Sequence, residues 1–297
     1  MKEKIIYGLI YSIFWLISLF PFCILYVLAN FIAFILYRVV KYRRSVVRTN
    51  LTNSFPDKTE KEIIKIEKQF YHYISDYFVE EIKMLTMSRK QMFKRMELNN
   101  LDIFLDTIDK HGGVIMMIPH YANFEWIVGT KMHMREEDQA VQVYKPLRNK
   151  YFDKLFHHLR SRFGGVNVAK HSTARELIRY KRAGTKIALG LIADQNPSKN
   201  DARFWTTFLN QDTVFMDGGE RISKMMNYPV VYCDLERIKR GYGRVTFEVV
   251  TLEPKKTEEG YITQYFAEAI ERTIARNPAL WFWSHKRWKH KREEENA

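Results

Sequence analysis

Residues 5–40 read IIYGLIYSIFWLISLFPFCILYVLANFIAFILYRVV and carry no charge before Arg38. Such a run predicts a membrane segment. At 1.5 Å per residue a straight helix of this length would measure on the order of 50 Å, well beyond the roughly 30 Å hydrocarbon core. Pro21 lies near its middle. The expected form is a single tilted span or deep anchor with an interfacial extension; the alternative is two short helices that bend at Pro21 and dip into one leaflet. Lys2 and Lys4 give a basic start, but no small-residue cleavage site follows and no lipobox precedes Cys23, so removal as a signal peptide is not expected.

Beyond this run the pattern is that of a globular body. Thr59 and Glu62 have capping-box spacing, and Ile63, Ile66, Phe70, Ile74, Tyr77, Phe78, Ile82 and Leu85 follow at steps of three and four, which predicts an amphipathic helix over 58–86. From residue 95 short apolar runs (114–118, 141–144, 186–193, 230–235) alternate with helix-like stretches near 123–133, 149–162 and 172–182, with Gly112, Gly164 and Gly184 as stops. Strands alternating with helices predict an α/β fold: a mixed, mostly parallel central sheet flanked by helices, preceded by a hydrophobic anchor helix. Residues 230–252 look instead like two antiparallel strands joined near 239–243, and a last helix over about 261–276 ends at Asn277-Pro278. The division expected is an anchor over residues 1–42 and one catalytic domain over 43–297.

Composition narrows the class. With 46% hydrophobic and 28% charged residues the chain is neither disordered nor collagen-like. Its two cysteines, Cys23 and Cys233, lie far apart in apolar runs, so neither a disulfide framework nor a Cys-rich metal site is available. Lys plus Arg number 48 against 34 for Asp plus Glu, a formal charge of +14, so the partners should be anionic: nucleic acid, an acidic protein or lipid phosphates. Arg38, Lys41, Arg43, Arg44 and Arg48 follow the apolar run and outnumber Lys2 and Lys4, which keeps the body cytoplasmic and suits anionic headgroups.

Chemistry is expected where strands end, since open α/β sheets bind ligands at the carboxyl ends of their strands. The first such end reads GGVIMMIPHYANFEW, with His120 directly after an apolar strand and Glu125 at H-x4-E spacing. A histidine can take a proton near neutral pH, and a nearby carboxylate can fix its tautomer, so the pair could activate a hydroxyl. Zinc would need a third ligand and an H-E-x-x-H helix, which is absent; His133 lies too far along. No G-x-S-x-G elbow supplies a covalent nucleophile.

The resemblance that these residues carry runs across nearly the whole chain. RTNLTNSFP (48–56), PHYANFEW (119–126), VYKPLRN (143–149), RSRFG (160–164), GLIADQNP (190–197) and NPALWFWSHKRWK (277–289) stand in that order. The chain resembles the bacterial lipid A biosynthesis late acyltransferases, the lauroyl/myristoyl transferase family, within the lysophospholipid acyltransferase group that shares an H-x4-[D/E] box. It departs from the pattern at Phe124, where many relatives have Trp, and at Ala122, where Gly is common; both changes are conservative in size or shape. The resemblance implies transfer of a fatty acyl group from a thioester, usually on acyl carrier protein, with acyl-CoA also open, to a hydroxyl of a glycolipid acceptor, a lipid A precursor, at the cytoplasmic face of the bacterial inner membrane. His120 would be the general base and Glu125 would orient it. No metal or nucleotide cofactor is required.

Arg148, Arg160 and Arg162 lie nearest these blocks and are expected at the lipid phosphate or the oxyanion, Arg160 first by resemblance, against the plain reading as solvated charges. Asp194 and Gln195 end the 186–193 strand and should line the same crevice, although Asp194 could equally cap the following turn. Asn123 either hydrogen-bonds the acceptor or caps the helix that begins there. Trp281, Trp283 and Trp288 amid Lys286, Arg287, Lys289, Lys291 and Arg292 suit stacking on nucleic acid, but a membrane interface is preferred because it also explains residues 5–40; Trp281 and Trp283 could equally be core. No nucleic-acid partner is expected. Two alternatives stand beside the lipid A reading: acylation of another lipid acceptor such as a lysophospholipid, aminolipid or glycolipid, and a non-enzymatic, membrane-tethered basic binding protein.

Overall fold

In the computed structural model, which describes residues 2–146, 149–198 and 202–292, the apolar N-terminal run takes the bent form of the two expected. Helix α1 spans Lys2–Leu19 and α2 spans Phe22–Phe34, continuing as a π-helical turn over Ile35–Val39. The break falls at Pro21, which has extended backbone angles and stands as the N-cap of α2; proline cannot donate to the preceding turn and its ring clashes with it. By length and composition Phe22–Val39 could cross a membrane. Ile6, Leu9, Ile13, Leu16, Phe20, Ile24, Val27, Phe31 and Phe34 are all exposed. They recur at steps of three and four, so the two helices present one apolar stripe to their surroundings.

The opposite faces of α1 and α2 pack on the body. After α3 (Arg44–Ser54) comes α4 (Glu60–Lys83), whose start is fixed by both halves of the Thr59/Glu62 capping box. At its other end Lys83 Nζ donates to Ser18 O at 2.7 Å and Phe20 O at 3.0 Å. A cation thus meets the unpaired carbonyls at the end of α1, where the helix dipole favours it.

The body is built on a seven-stranded sheet. Its elements are α5 (Arg89–Arg95), β1 (Met96–Asn99), α6 (Leu101–His111), β2 (Gly113–Ile118), a 3-10 segment (Phe124–His133), β3 (Gln139–Tyr144), α7 (Lys150–Ser161), β4 (Val166–Ala169), α8 (Thr173–Arg182), β5 (Ile187–Ile192), α9 (Gly218–Met226), β8 (Val230–Lys239), β9 (Tyr242–Thr251) and α10 (Tyr261–Arg276), with a separate hairpin of β6 (Phe204–Phe208) and β7 (Gln211–Phe215) between β5 and α9. The spatial order is β1-β9-β8-β2-β5-β3-β4, antiparallel only between β8 and β9. The expected mixed, mostly parallel sheet is therefore present. All six residues of β2 are buried, as a parallel strand covered on both faces requires.

Two features of this frame place the site. Neighbouring β2 and β5 run parallel in register from Gly113↔Ile187 to Ile118↔Ile192, so whatever follows Ile118 emerges beside whatever follows Ile192. The chain end then folds back over this edge, with Trp281 bridged to Tyr121. Trp281 and Trp283 are buried and Trp288 is packed against the core, its indole donating to Thr213 Oγ1 at 2.7 Å. Trp281 and Trp283 are core residues, as their second reading had it, and Trp288 is half-buried against them. The expectation of a membrane-facing aromatic belt there is corrected, because the interleaved pattern reflects a segment pinned to the loop after β2.

Candidate active site

His120 and Asp194 each stand two residues beyond the paired Ile118 and Ile192. Strand register alone brings them together. His120 Nδ1 lies 2.5 Å from Asp194 Oδ1, and the His120 backbone N–H donates to Asp194 Oδ2 at 2.9 Å. Trp281 Nε1 donates to the same Oδ2 at 2.8 Å. Burial drives the Asp194 carboxyl upward, but the facing His120 ring and the bonds from His120 and Trp281 outweigh it and hold the group below the usual carboxylate range. An ionised acceptor at Nδ1 places the ring proton on that nitrogen. Nε2 is left with its lone pair, 3.2 Å from the Gln195 amide nitrogen. The ring edge packs against Phe124, with centroids 4.8 Å apart, and against Phe282 at 5.7 Å.

Glu125 is engaged elsewhere. It is buried in the 3-10 segment, and Arg160 of α7 grips both its oxygens, Nε donating to Oε2 at 2.9 Å and Nη2 to Oε1. Such a two-point grip is the strong form of this ion pair. Burial opposes the charge on Arg160, but the Glu125 carboxylate outweighs it and strengthens the guanidinium's hold on its proton. The carboxylate at the His120 ring is thus Asp194, and the expectation that Glu125 orients His120 is corrected on geometry. His120 lies in the loop before the 3-10 segment and Glu125 lies within it, and the two side chains turn to different partners. Glu81 of α4 is buried beside this pair; burial, then the Glu125 charge, pushes its carboxyl well above the usual range.

Glu125 and Arg160 line a narrow pocket of about 50 Å³ whose other walls include Ile118, Ile127, Val143 and Ile192. Its lining also includes Gly190 of β5, where a Cβ would come within 3.2 Å of Ile118 Cδ1. Arg162 Nη1 donates to Met84 O, while Arg148 lies outside the described residues. Asp194 faces the crevice and does not cap the following turn. Asn123 makes no capping bond to the segment it precedes; its Nδ2 donates to Glu80 Oε2 at 2.7 Å.

Ala122 has φ of 48°, the left-handed region that suits glycine. Its replacement of the commoner Gly, conservative in size, is therefore not conservative for the backbone. The loop is held by Ala122 N donating to Leu280 O at 2.9 Å and by Tyr73 Oη donating to Ala122 O at 2.8 Å.

Sequence reasoning did not find Tyr73, Glu80, Glu81 or the role of Trp281. The first three sit inside the amphipathic pattern of α4, where a buried polar residue is visible only once its neighbour across the crevice is known.

Residues 2–290 match the family described as bacterial lipid A biosynthesis acyltransferase. The chain belongs to this family. It is similar to the lipid A biosynthesis palmitoleoyltransferase of Escherichia coli (strain K12), at 21% identity over 278 residues that cover 94% of this chain and 89% of the relative. A lipid A biosynthesis acyltransferase of Haemophilus influenzae is 24% identical over 147 residues, 48% of this chain and 45% of that one. The chain is accordingly an acyltransferase, and the His120 crevice is its candidate catalytic centre.

Proposed function

We propose that this acyltransferase moves a fatty acyl chain from an acyl thioester, carried by acyl carrier protein, to a hydroxyl of a lipid A precursor, with His120 as general base held by Asp194. The observation that carries the reading is the Asp194–His120–Gln195 array at the paired ends of β2 and β5. Asp194 fixes the Nδ1–H tautomer and stabilises the imidazolium that forms when Nε2 takes the acceptor's proton. The acceptor hydroxyl takes the place of the Gln195 amide at Nε2. Its oxygen then attacks the thioester carbon, the C–S bond breaks, and the departing thiolate receives the proton from His120. The negative oxygen formed on the way needs fixed donors; Arg160, held rigidly by Glu125 and lining the apolar pocket, supplies N–H groups not used in that pair. The pocket itself suits the hydrocarbon next to the carbonyl.

The reading includes a seat at the inner membrane with the body on the cytoplasmic side. It is supported by the exposed apolar stripe of α1 and α2 and by Arg38, Lys41 and Arg43, all exposed, directly after it. Arg240 of the body donates to Asn30 Oδ1 at 2.9 Å and to Tyr26 O at 3.2 Å, and its guanidinium also grips Asp76. A helix crossing the bilayer would carry these charges toward the hydrocarbon, where charged groups are costly. That favours insertion into one leaflet.

The deciding measurement is acyl transfer from acyl carrier protein to a lipid A precursor by purified variants. Asp194→Asn is expected to lower kcat by about 10²- to 10⁴-fold, the range for loss of tautomer control in a general base. His120→Ala should fall at least as far. Undiminished turnover in His120→Ala would remove it from the role of base.

A further inference from the structure

Helix α2 and the loop carrying His120 are joined by hydrogen bonds through a buried carboxylate. Tyr26 of α2 donates its phenolic proton to Glu80 Oε1 at 2.9 Å, and Glu80 Oε2 accepts from Asn123 Nδ2 at 2.7 Å. Asn123 lies between His120 and Glu125 in the chain. Glu80 is 5% exposed; a carboxylate so placed depends on its donors, because an unpaired buried charge is strongly disfavoured. The Asn123 amide caps no helix, and its Oδ1 is buried without a hydrogen-bond partner. The peptide before it is in the left-handed conformation at Ala122, which an L residue keeps only when its surroundings impose it. The imposed contacts at this point come from Leu280 on one side and from Tyr73 and Glu80 of α4 on the other.

We propose that Glu80 is a positioning residue for acyl transfer, coupling the seat of α2 to the His120–Glu125 loop, so that α2 must be docked on α4 for His120 to stand correctly between Asp194 and the acceptor. The inference rests on His120 acting as base. It assigns α2 a part in catalysis beyond attachment: the helix that meets lipid completes the hydrogen-bond chain that holds the loop. The displacement at stake is small, yet misplacement on the scale of an ångström is enough to cost a large factor in rate.

The test uses the full-length protein and measures kcat and KM for acyl transfer together with hydrogen exchange of residues 119–126. Glu80→Ala is expected to lower kcat by about tenfold or more with KM nearly unchanged, since ground-state binding is left intact while the reactive geometry is lost. Glu80→Gln should recover most of that loss, because its amide can accept from Tyr26 and donate to the unpartnered Asn123 Oδ1. Tyr26→Phe should lower kcat a few-fold and speed exchange at 119–126, although residue 26 lies on a different helix. The Tyr26→Phe/Asn123→Ala double variant should be no worse than the poorer single, as expected for partners in one chain of contacts. Wild-type kcat in a folded Glu80→Ala, additive losses in the double variant, or unchanged exchange in Tyr26→Phe would each overturn the proposal. If the wild-type enzyme transfers no acyl group to the lipid A precursor, the reaction assignment fails, while the exchange measurement still decides the coupling.

Discussion

Ala122 shows how one backbone angle constrains the residues allowed two positions from His120. Its left-handed conformation costs an L residue about 1 to 2 kcal/mol. Glycine would relieve that, yet it would forfeit about 0.5 to 1 kcal/mol in chain entropy and about 0.8 kcal/mol of buried methyl. The terms nearly cancel, which accounts for alanine where glycine is common. Ala122→Gly is therefore expected to change stability by less than about 1 kcal/mol in a urea titration. Ala122→Val should cost about 3 kcal/mol or more, because a β-branched residue is far less tolerated at positive φ and the extra methyls overpack a buried site. Equal midpoints for the two variants would contradict the account of the loop. The same scale explains why the His120 partner was not legible in the sequence. Asp194 and Gln195 could be placed at a strand end, but which carboxylate meets Nδ1 depends on β5 lying beside β2. Nothing local to residues 186–197 reports that adjacency.

Among elements, those with a long apolar run or a full helical stripe are legible in the sequence. β2 is buried throughout, β5 over Ile187–Leu189 and β8 over Val230–Cys233, and α4 carries its capping box and stripe. β1 (Met96–Asn99) and β4 (Val166–Ala169) are four-residue edge strands with partly exposed, polar positions, too short to show a period. The β6–β7 hairpin was missed for a different reason. Its turn is Leu209-Asn210, both at positive φ (49° and 60°), and leucine is not among the residues that advertise such a turn. The C-terminal segment was read as an interface, whereas it closes the crevice from above: Asn50 Nδ2 donates to Trp283 O at 2.8 Å and His285 O at 2.9 Å, and the Asn196 N–H donates to His285 Nε2 at 3.1 Å. Burial, aided by Arg287, pushes His285 down to about 4 from its ordinary 6.5. In the unfolded chain this histidine takes a proton as pH falls through about 6.5, while in the folded chain it stays neutral until about 4. Its effect is a loss of stability as pH drops across that window. His285→Gln, which can still accept from Asn196, should shrink the difference between urea midpoints at pH 6.5 and pH 4.5. An unchanged difference would mean that His285 does not titrate in this way.

At the scale of the molecule, the His120 loop, the strand ends beside it and the apolar helices form one continuous assembly. Ion pairs within it leave the net charge of +14 unchanged but fix where many of its arginines stand. Arg160, Arg237, Arg240 and Arg276 are paired with Glu125, Asp76 and Asp234, and Arg44 and Arg48 with the buried Glu67. Lys41 and Arg43 remain exposed after α2, at the level where headgroups would lie if the stripe of α1 and α2 entered a leaflet. The stripe has a practical corollary. Cys23 is exposed on α2, whereas Cys233 is buried in β8, where burial pushes its thiol well above its ordinary value. A thiol reacts as the thiolate, and access controls it, so the unmodified chain offers one reactive sulfur, placed beside the stripe. A polarity-sensitive fluorophore should attach in a single equivalent at Cys23 and shift its emission to the blue on addition of vesicles. A natural depth gauge is thus built into the helix, and emission that ignores lipid would place α2 outside the bilayer.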